Sequence, residues 1–246
     1  MTARQLTEQL YKAEAGATPD YSGKNLEGLD LSGIDFKKAR LGGANLFGAD
    51  LSEAKLADSD LHGARLDRAN LIRANLDRAD LSGSSILRPT TTTSIGIADV
   101  TETPSFRGAN LEGARIFGQF AGGYFQAAKL KGASLAPFGG TGFIEHLWHT
   151  NFTGADLSGA DLSGANLAFV TFRFANLRGA SLKGARLTNA DLARADLTGA
   201  DLTGADLTGA DLSNVSLEGA ILDGAKGLET VAGSANAPRP VQKAIE

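Results

Sequence analysis

Ala195-Asp196-Leu197-Thr198-Gly199, Ala200-Asp201-Leu202-Thr203-Gly204 and Ala205-Asp206-Leu207-Thr208-Gly209 repeat a five-residue unit almost letter for letter as far as Leu212. On an α-helix, residues five apart are separated by about 500°, so their side chains wander around the cylinder and form no stripe. In a flat strand alternate residues share a face, and every second leucine would change sides. The pattern therefore requires a chain that turns a corner after each unit and sends every leucine toward one axis, which is a solenoid.

Working outward, the same spacing holds from Tyr21 through Leu26, Leu31, Phe36 and Leu41 to Ile86, and again from Phe152 to Leu222. Ala-Asn-Leu at 44–46 and Ala-Asp-Leu at 49–51, 79–81, 155–157 and 190–192 are typical members. In these residues the chain resembles the pentapeptide-repeat family. The resemblance implies an all-β solenoid, a right-handed quadrilateral β-helix with four units per coil, in which residues twenty apart stack. Leu26 would then lie below Leu46 and Leu66, and about nine coils at β-strand spacing would give a rod of about 40–45 Å.

Residues 1–16 read as a short capping helix, Thr2 to Ala15, with Leu6, Leu10 and Tyr11 grouped and Gly16 as its stop. Residues 17–226 form the repeat, interrupted twice. Over 87–105 the pattern fails at Arg88-Pro89 and a run of threonines, a gap as long as one coil that reads either as an extruded loop or as a degenerate coil; burial of Asp99 would disfavour the latter. A one-residue slip near Phe120 and Phe125 implies a bulge or tightened corner. The second excursion, 136–151, carries Pro137, Gly139-Gly140 and the single tryptophan. Residues 227–246 lack a periodic apolar set and read as a loose tail, so a monomer is expected rather than an end-to-end dimer.

Composition removes whole classes of function. Without cysteine there is no disulfide, thiolate metal site or thiol nucleophile. A net charge of −4 does not suit an unaided grip on nucleic-acid phosphates. Neither a membrane-spanning apolar run nor the apolar core of a secretory signal is present, so the expected location is cytoplasmic. Aspartates spread along solenoid walls do not converge as catalytic or metal-binding pairs, and no nucleophile elbow or P-loop occurs, so neither an enzyme nor a cofactor is expected.

Recognition is expected in the aromatic middle. Tyr124, Phe138, Phe143 and Trp148, with His146, His149 and Arg88, are the candidate partner-binding residues, while Phe120 and Phe125 suit a widened coil. Glu145, His146 and His149 have the chemistry of zinc ligands, but no further ligand lies nearby and His62 falls in a distant coil. The expected function is a non-enzymatic protein-binding scaffold. The alternative is a DNA-mimicking modulator of DNA gyrase, because the resemblance extends to quinolone-resistance relatives. Only the Thr188 to Ala225 stretch is predominantly acidic, opposed by Arg194, whereas mimicry needs negative potential along the rod.

Overall fold

In the computed structural model, residues 1–14, 16–93, 101–136 and 149–228 are described. Four columns of parallel bridges run through them. The first begins Asp20, Arg40, Asp60, Asp80; the second Asn25, Asn45, Arg65, Ser85; the third Asp30, Asp50, Asn70, Thr90; the fourth Asp35, Lys55, Asn75, Ser105. Most steps are twenty residues, as expected of four units per coil. Regular strands are few: only β1 (Ser85–Leu87) and β2 (Arg115–Phe117), paired in parallel within the second column, extend beyond single bridges among the described residues. The expected all-β solenoid is thus carried, among the described residues, mainly by single parallel bridges and only briefly by regular strands. Each unit ends in a left-handed residue, such as Gly63 (φ 61°) or Arg68 (φ 59°), which stops extension before a longer strand can form.

The unit around Leu61 shows why the sequence takes this form. Leu61 N–H donates to Asp80 O (2.6 Å), Gly63 N–H to Ser82 O (2.8 Å), Ala64 N–H to Leu61 O (3.0 Å) and Arg65 N–H to Ala44 O (2.9 Å). The remaining amide, of His62, donates to Asp60 Oδ1 at 3.1 Å. Every backbone donor of the unit is thus satisfied, and the fifth depends on the side chain before leucine. Asn25, Asp50, Asn110, Asp161 and Asp201 do the same in other coils. Leucine and the alanine two before it are buried in the repeat up to the last coil, where Ala220 and Leu222 are partly exposed, forming one continuous apolar bore.

Helix α1 (Ala3–Lys12) closes the first coil with Leu6 and Leu10, and a reciprocal capping box between Thr2 and Gln5 starts it. It is shorter than the expected Thr2 to Ala15, and Tyr11 faces solvent instead of joining the leucines. Lys37 holds the other end: its Nζ donates to Leu10 O (2.6 Å) and Ala13 O (3.1 Å), occupying carbonyls left over at the helix terminus.

The interruptions preserve the columns. Thr90 still pairs with Asn70, and Thr91 is buried at the inward position, so the wall continues past the expected boundary at 87. Arg73 N–H then donates to Glu102 O, where an uninterrupted chain would present residue 92. The inserted stretch is therefore 92–101, narrower than 87–105, and Asp99 lies outside the described residues. The Glu102 carboxylate accepts from Thr92 Oγ1 (2.8 Å), Thr93 N (2.6 Å) and Thr93 Oγ1 (2.7 Å), closing its root. Likewise, Ala136 and Thr150 remain in the wall, so the second insertion is 137–148. Between them the coil loses one residue, since Arg115 pairs with Ser134 and Asn110 with Lys129, nineteen apart. Phenylalanines fill the bore there: Phe106 stacks on Phe125 (4.8 Å), Phe120 on Phe152 (5.5 Å) and Phe152 on Phe172 (5.6 Å).

Two outcomes follow from these contacts. Excising 92–101, or 137–148, restores a twenty-residue step without moving the flanking bridges, so each shortened chain will keep its circular dichroism spectrum and unfold within about 1 kcal/mol of the parent. Removing one residue fewer leaves a single-residue bulge at the same corner and will lower the unfolding midpoint relative to the exact excision. The second outcome concerns acid. Hydrogen bonds from the Ser22 amide and hydroxyl, and then Arg40, lower Asp20 from 3.8 to about 2; Thr203, Thr208 and Ser213 likewise lower Asp201, Asp206 and Asp211 through their hydroxyls and amides. A carboxylate lowered in the fold contributes stability that is complete above its ordinary value and is lost as pH falls through the folded value. Urea unfolding will therefore weaken progressively between about pH 4 and pH 2. Asp201→Asn, Asp206→Asn and Asp211→Asn together, which keep the acceptors but remove the titration, will flatten that decline; an unchanged decline would refute the assignment.

Candidate functional site

The second column carries a trough that runs parallel to the stack. Immediately after the inward residues stand Phe47, Asp67, Leu87 and Phe117; at the following corner stand Gly48, Arg68 and Arg88, whereas Gly118 lies over Pro89 because this unit is one residue short; Arg65 and Arg115 line the other side. The concavity measures about 280 Å³. Arg65 lies over the Phe47 ring at 4.4 Å, Arg68 over the same ring at 5.7 Å and Arg88 over Phe117 at 5.9 Å. Asp67 belongs to the floor: it accepts from Arg65 Nε (2.9 Å), Ser85 Oγ and Leu87 N–H (3.1 Å).

Charge distinguishes this side from its neighbours. Corner residues one coil apart on the third and fourth columns are oppositely charged and meet, Arg73 with Glu53 at 3.0 Å and Arg78 with Asp58 at 2.7 Å. The corresponding pair on the second column is Arg68 and Arg88. Among the described residues, neither reaches a carboxylate within salt-bridge distance. Higher up, the basic stretch at 173–183 and the acidic stretch that follows compensate each other across one coil. Arg173 meets Asp191, Arg178 meets Asp196 (3.0 Å) and Lys183 meets Asp201 (3.1 Å).

Of the residues expected from sequence, the structure brings Arg88 and His149 onto the same corner line, separated by the coil that is one residue short. His149 stacks on Phe169 (6.0 Å) and leaves its Nδ1 buried without a partner among the described residues. Tyr124 lies in the fourth column, half-buried beneath Arg107 at 4.2 Å. That column is two units from the second in either direction along the chain, so Tyr124 does not join Arg88. Phe138, Phe143, His146 and Trp148, with Glu145, lie outside the described residues. No group of metal-ligating side chains occurs among the described residues, and no described helix is long and apolar enough to cross a membrane.

Sequence reading missed Phe47, Arg68 and Phe117 as parts of one surface, and also Phe169 and Phe174. The twenty-residue offset between Arg68 and Arg88 was a usable signal, whereas Phe117 comes into line only across the ten-residue insertion. Phe169 (φ 63°, 38% exposed) and Phe174 (φ 58°, 55% exposed) occupy left-handed corners of one coil, and Arg194 lies over Phe174 at 5.5 Å.

No curated protein matches the chain. Among solved structures it is similar to HetL, a pentapeptide repeat protein involved in heterocyst differentiation regulation from the cyanobacterium Nostoc sp. strain PCC 7120. Identity is 28% over 92% of this chain and 96% of that one, with a TM-score of 0.47. It is also similar to trypsin-treated QnrB1, a plasmid-mediated fluoroquinolone resistance protein, at 20% identity over 88% of this chain and 98% of that one, with a TM-score of 0.40. A pentapeptide repeat protein of the Arabidopsis thaliana thylakoid lumen is 27% identical over 57% of this chain and 69% of that one, with a TM-score of 0.29. A family model described as pentapeptide repeats matches residues 22–52, 44–83, 147–184, 165–204 and 190–226 in eight copies. With more than half of its residues matched, and a five-residue unit that bridges to its equivalent in the next coil, the chain belongs to the pentapeptide repeat family.

Proposed function

We propose that the chain is a non-enzymatic, cytoplasmic protein-binding scaffold, wound as a right-handed quadrilateral β-helix, whose insertion-bearing middle contacts a partner protein. Proteins of this family are generally scaffolds without catalytic activity. The observation that carries the reading is the pair of exposed phenylalanines, Phe169 and Phe174, in left-handed backbone. A left-handed conformation costs a non-glycine residue about 1–2 kcal/mol, and glycine fills most of the left-handed corners of the solenoid as a whole. Burial inside the chain does not repay that cost at Phe174, which is more than half exposed. Contact with another protein would repay it, because aromatic side chains supply large apolar area at interfaces. Ala136 and His149, which flank the second insertion, adjoin the corner line of Phe169.

Gyrase-directed DNA mimicry receives less support. The acidic stretch that would supply negative potential is offset one coil away by Arg173, Arg178 and Lys183. A supercoiling assay with purified gyrase is expected to show no effect at micromolar protein.

The scaffold reading is tested by replacing Phe169 and Phe174 with glycine. Removal of the left-handed strain will leave the fold intact and raise stability by up to about 1 kcal/mol. Affinity capture from the native cell, analysed by mass spectrometry, will lose the partner retained by the parent chain. Equal recovery of the same partner by this variant and by a chain lacking both insertions would overturn the reading.

A further inference from the structure

Arg68 and Arg88 stand one coil apart at equivalent corners, about 4.8 Å between backbones. Like charges placed directly opposite across a ladder repel. The same coils show the compatible alternative twice, in Glu53 with Arg73 and Asp58 with Arg78. Both arginines are also held in left-handed backbone, at φ 59° and 54°, where glycine would be free of strain. Each guanidinium lies over a ring face and, among the described residues, forms no ion pair, and a half-buried apolar floor of Phe47 and Leu87, with buried Phe117, continues between them and Arg115.

We propose that this trough binds an extended acidic segment of the partner protein, two carboxylates on alternate residues engaging Arg68 and Arg88 while the aliphatic stems of those side chains rest on Leu87 and Phe117. The proposal rests on the scaffold reading and names the chemistry of its partner. Charge complementarity selects an acidic occupant, since the rim is cationic and Asp67, the carboxylate in the floor, is already engaged by Arg65, Ser85 and Leu87. The apolar floor selects a peptide over a bare polyanion. Alternate residues of an extended peptide lie about 6.6–6.8 Å apart on one face, a spacing that two long arginine side chains one coil apart can span. Desolvation against the rings strengthens each charge-assisted hydrogen bond.

The experiment uses the full chain and a fluorescein-labelled peptide alternating glutamate and leucine, with fluorescence anisotropy as readout. Saturable binding is expected, weakened at least tenfold by Arg68→Gly or Arg88→Gly and abolished when the peptide glutamates become glutamines. Arg73→Gly, on the neighbouring side, will bind as the parent does. Arg68→Glu gives an independent readout: it converts a repulsive pair into the arrangement of Glu53 and Arg73, so it will raise the unfolding midpoint while losing the peptide. Absence of saturable binding, equal weakening by Arg73→Gly, a lower midpoint for Arg68→Glu, or displacement of the peptide by an oligonucleotide at equal concentration would each overturn the trough assignment. Those results are separable from the scaffold reading. If the native partner is captured by the parent and by the Arg68→Gly, Arg88→Gly double variant alike, the scaffold stands and the trough falls.

Discussion

The left-handed residue that ends each five-residue unit is the constraint on which the structure depends. It turns the chain through a corner, prevents extended segments from growing into longer strands, and returns the next leucine to the bore. Glycine is the least strained occupant, so wherever another residue stands there, something else must offset the cost. Glu53, Asp58, Arg73 and Arg78 offset it with ion pairs between coils. Arg68, Arg88 and Phe174 form no such pair among the described residues, and on these corners the proposed recognition rests.

The second requirement is satisfaction of backbone amides. A unit that turns so tightly would leave the amide after leucine without a carbonyl, and the aspartate or asparagine before leucine supplies the missing acceptor. This accounts for the abundance of aspartate without catalysis. It also ties acid sensitivity to the turns themselves, because the oxygen that accepts the amide belongs to the group that titrates.

The architecture was largely legible because its cause is local. A period of five excludes helix and flat strand, and each unit repeats the same geometry, so leucine positions from Tyr21 to Ile86 and from Phe152 to Leu217 translate directly into buried positions. Insertion boundaries were less legible. Thr91 takes an inward place with a polar side chain, and Thr90 keeps its bridge, although neither matches the repeat pattern. The candidate site was legible only in part. Arg88 and His149 share a corner line, but Tyr124 belongs two units away, because proximity in sequence means a different side when the chain turns every five residues. Phe47 and Phe117 are seventy residues apart and come together only when the coil stacking and the intervening insertion are both accounted for.

The insertions and the trough have a common logic. A repeat protein gains stability by making every coil satisfy its neighbours, and the ion-paired corners do this on two adjacent sides. A side whose residues are all satisfied internally has little left with which to bind. Selective recognition therefore requires coils that depart from the consensus at stacked positions, and a departure at a single level would expose only one group. Arg68 and Arg88 depart together, one above the other, beside an apolar strip running from Phe47 to Phe117. The change in coil length immediately above them, filled by Phe106, Phe120 and Phe125, alters the surface without breaking the bore. On the proposed reading, specificity resides where self-compensation has been given up at stacked positions, and the stability of the coils above and below sustains that loss.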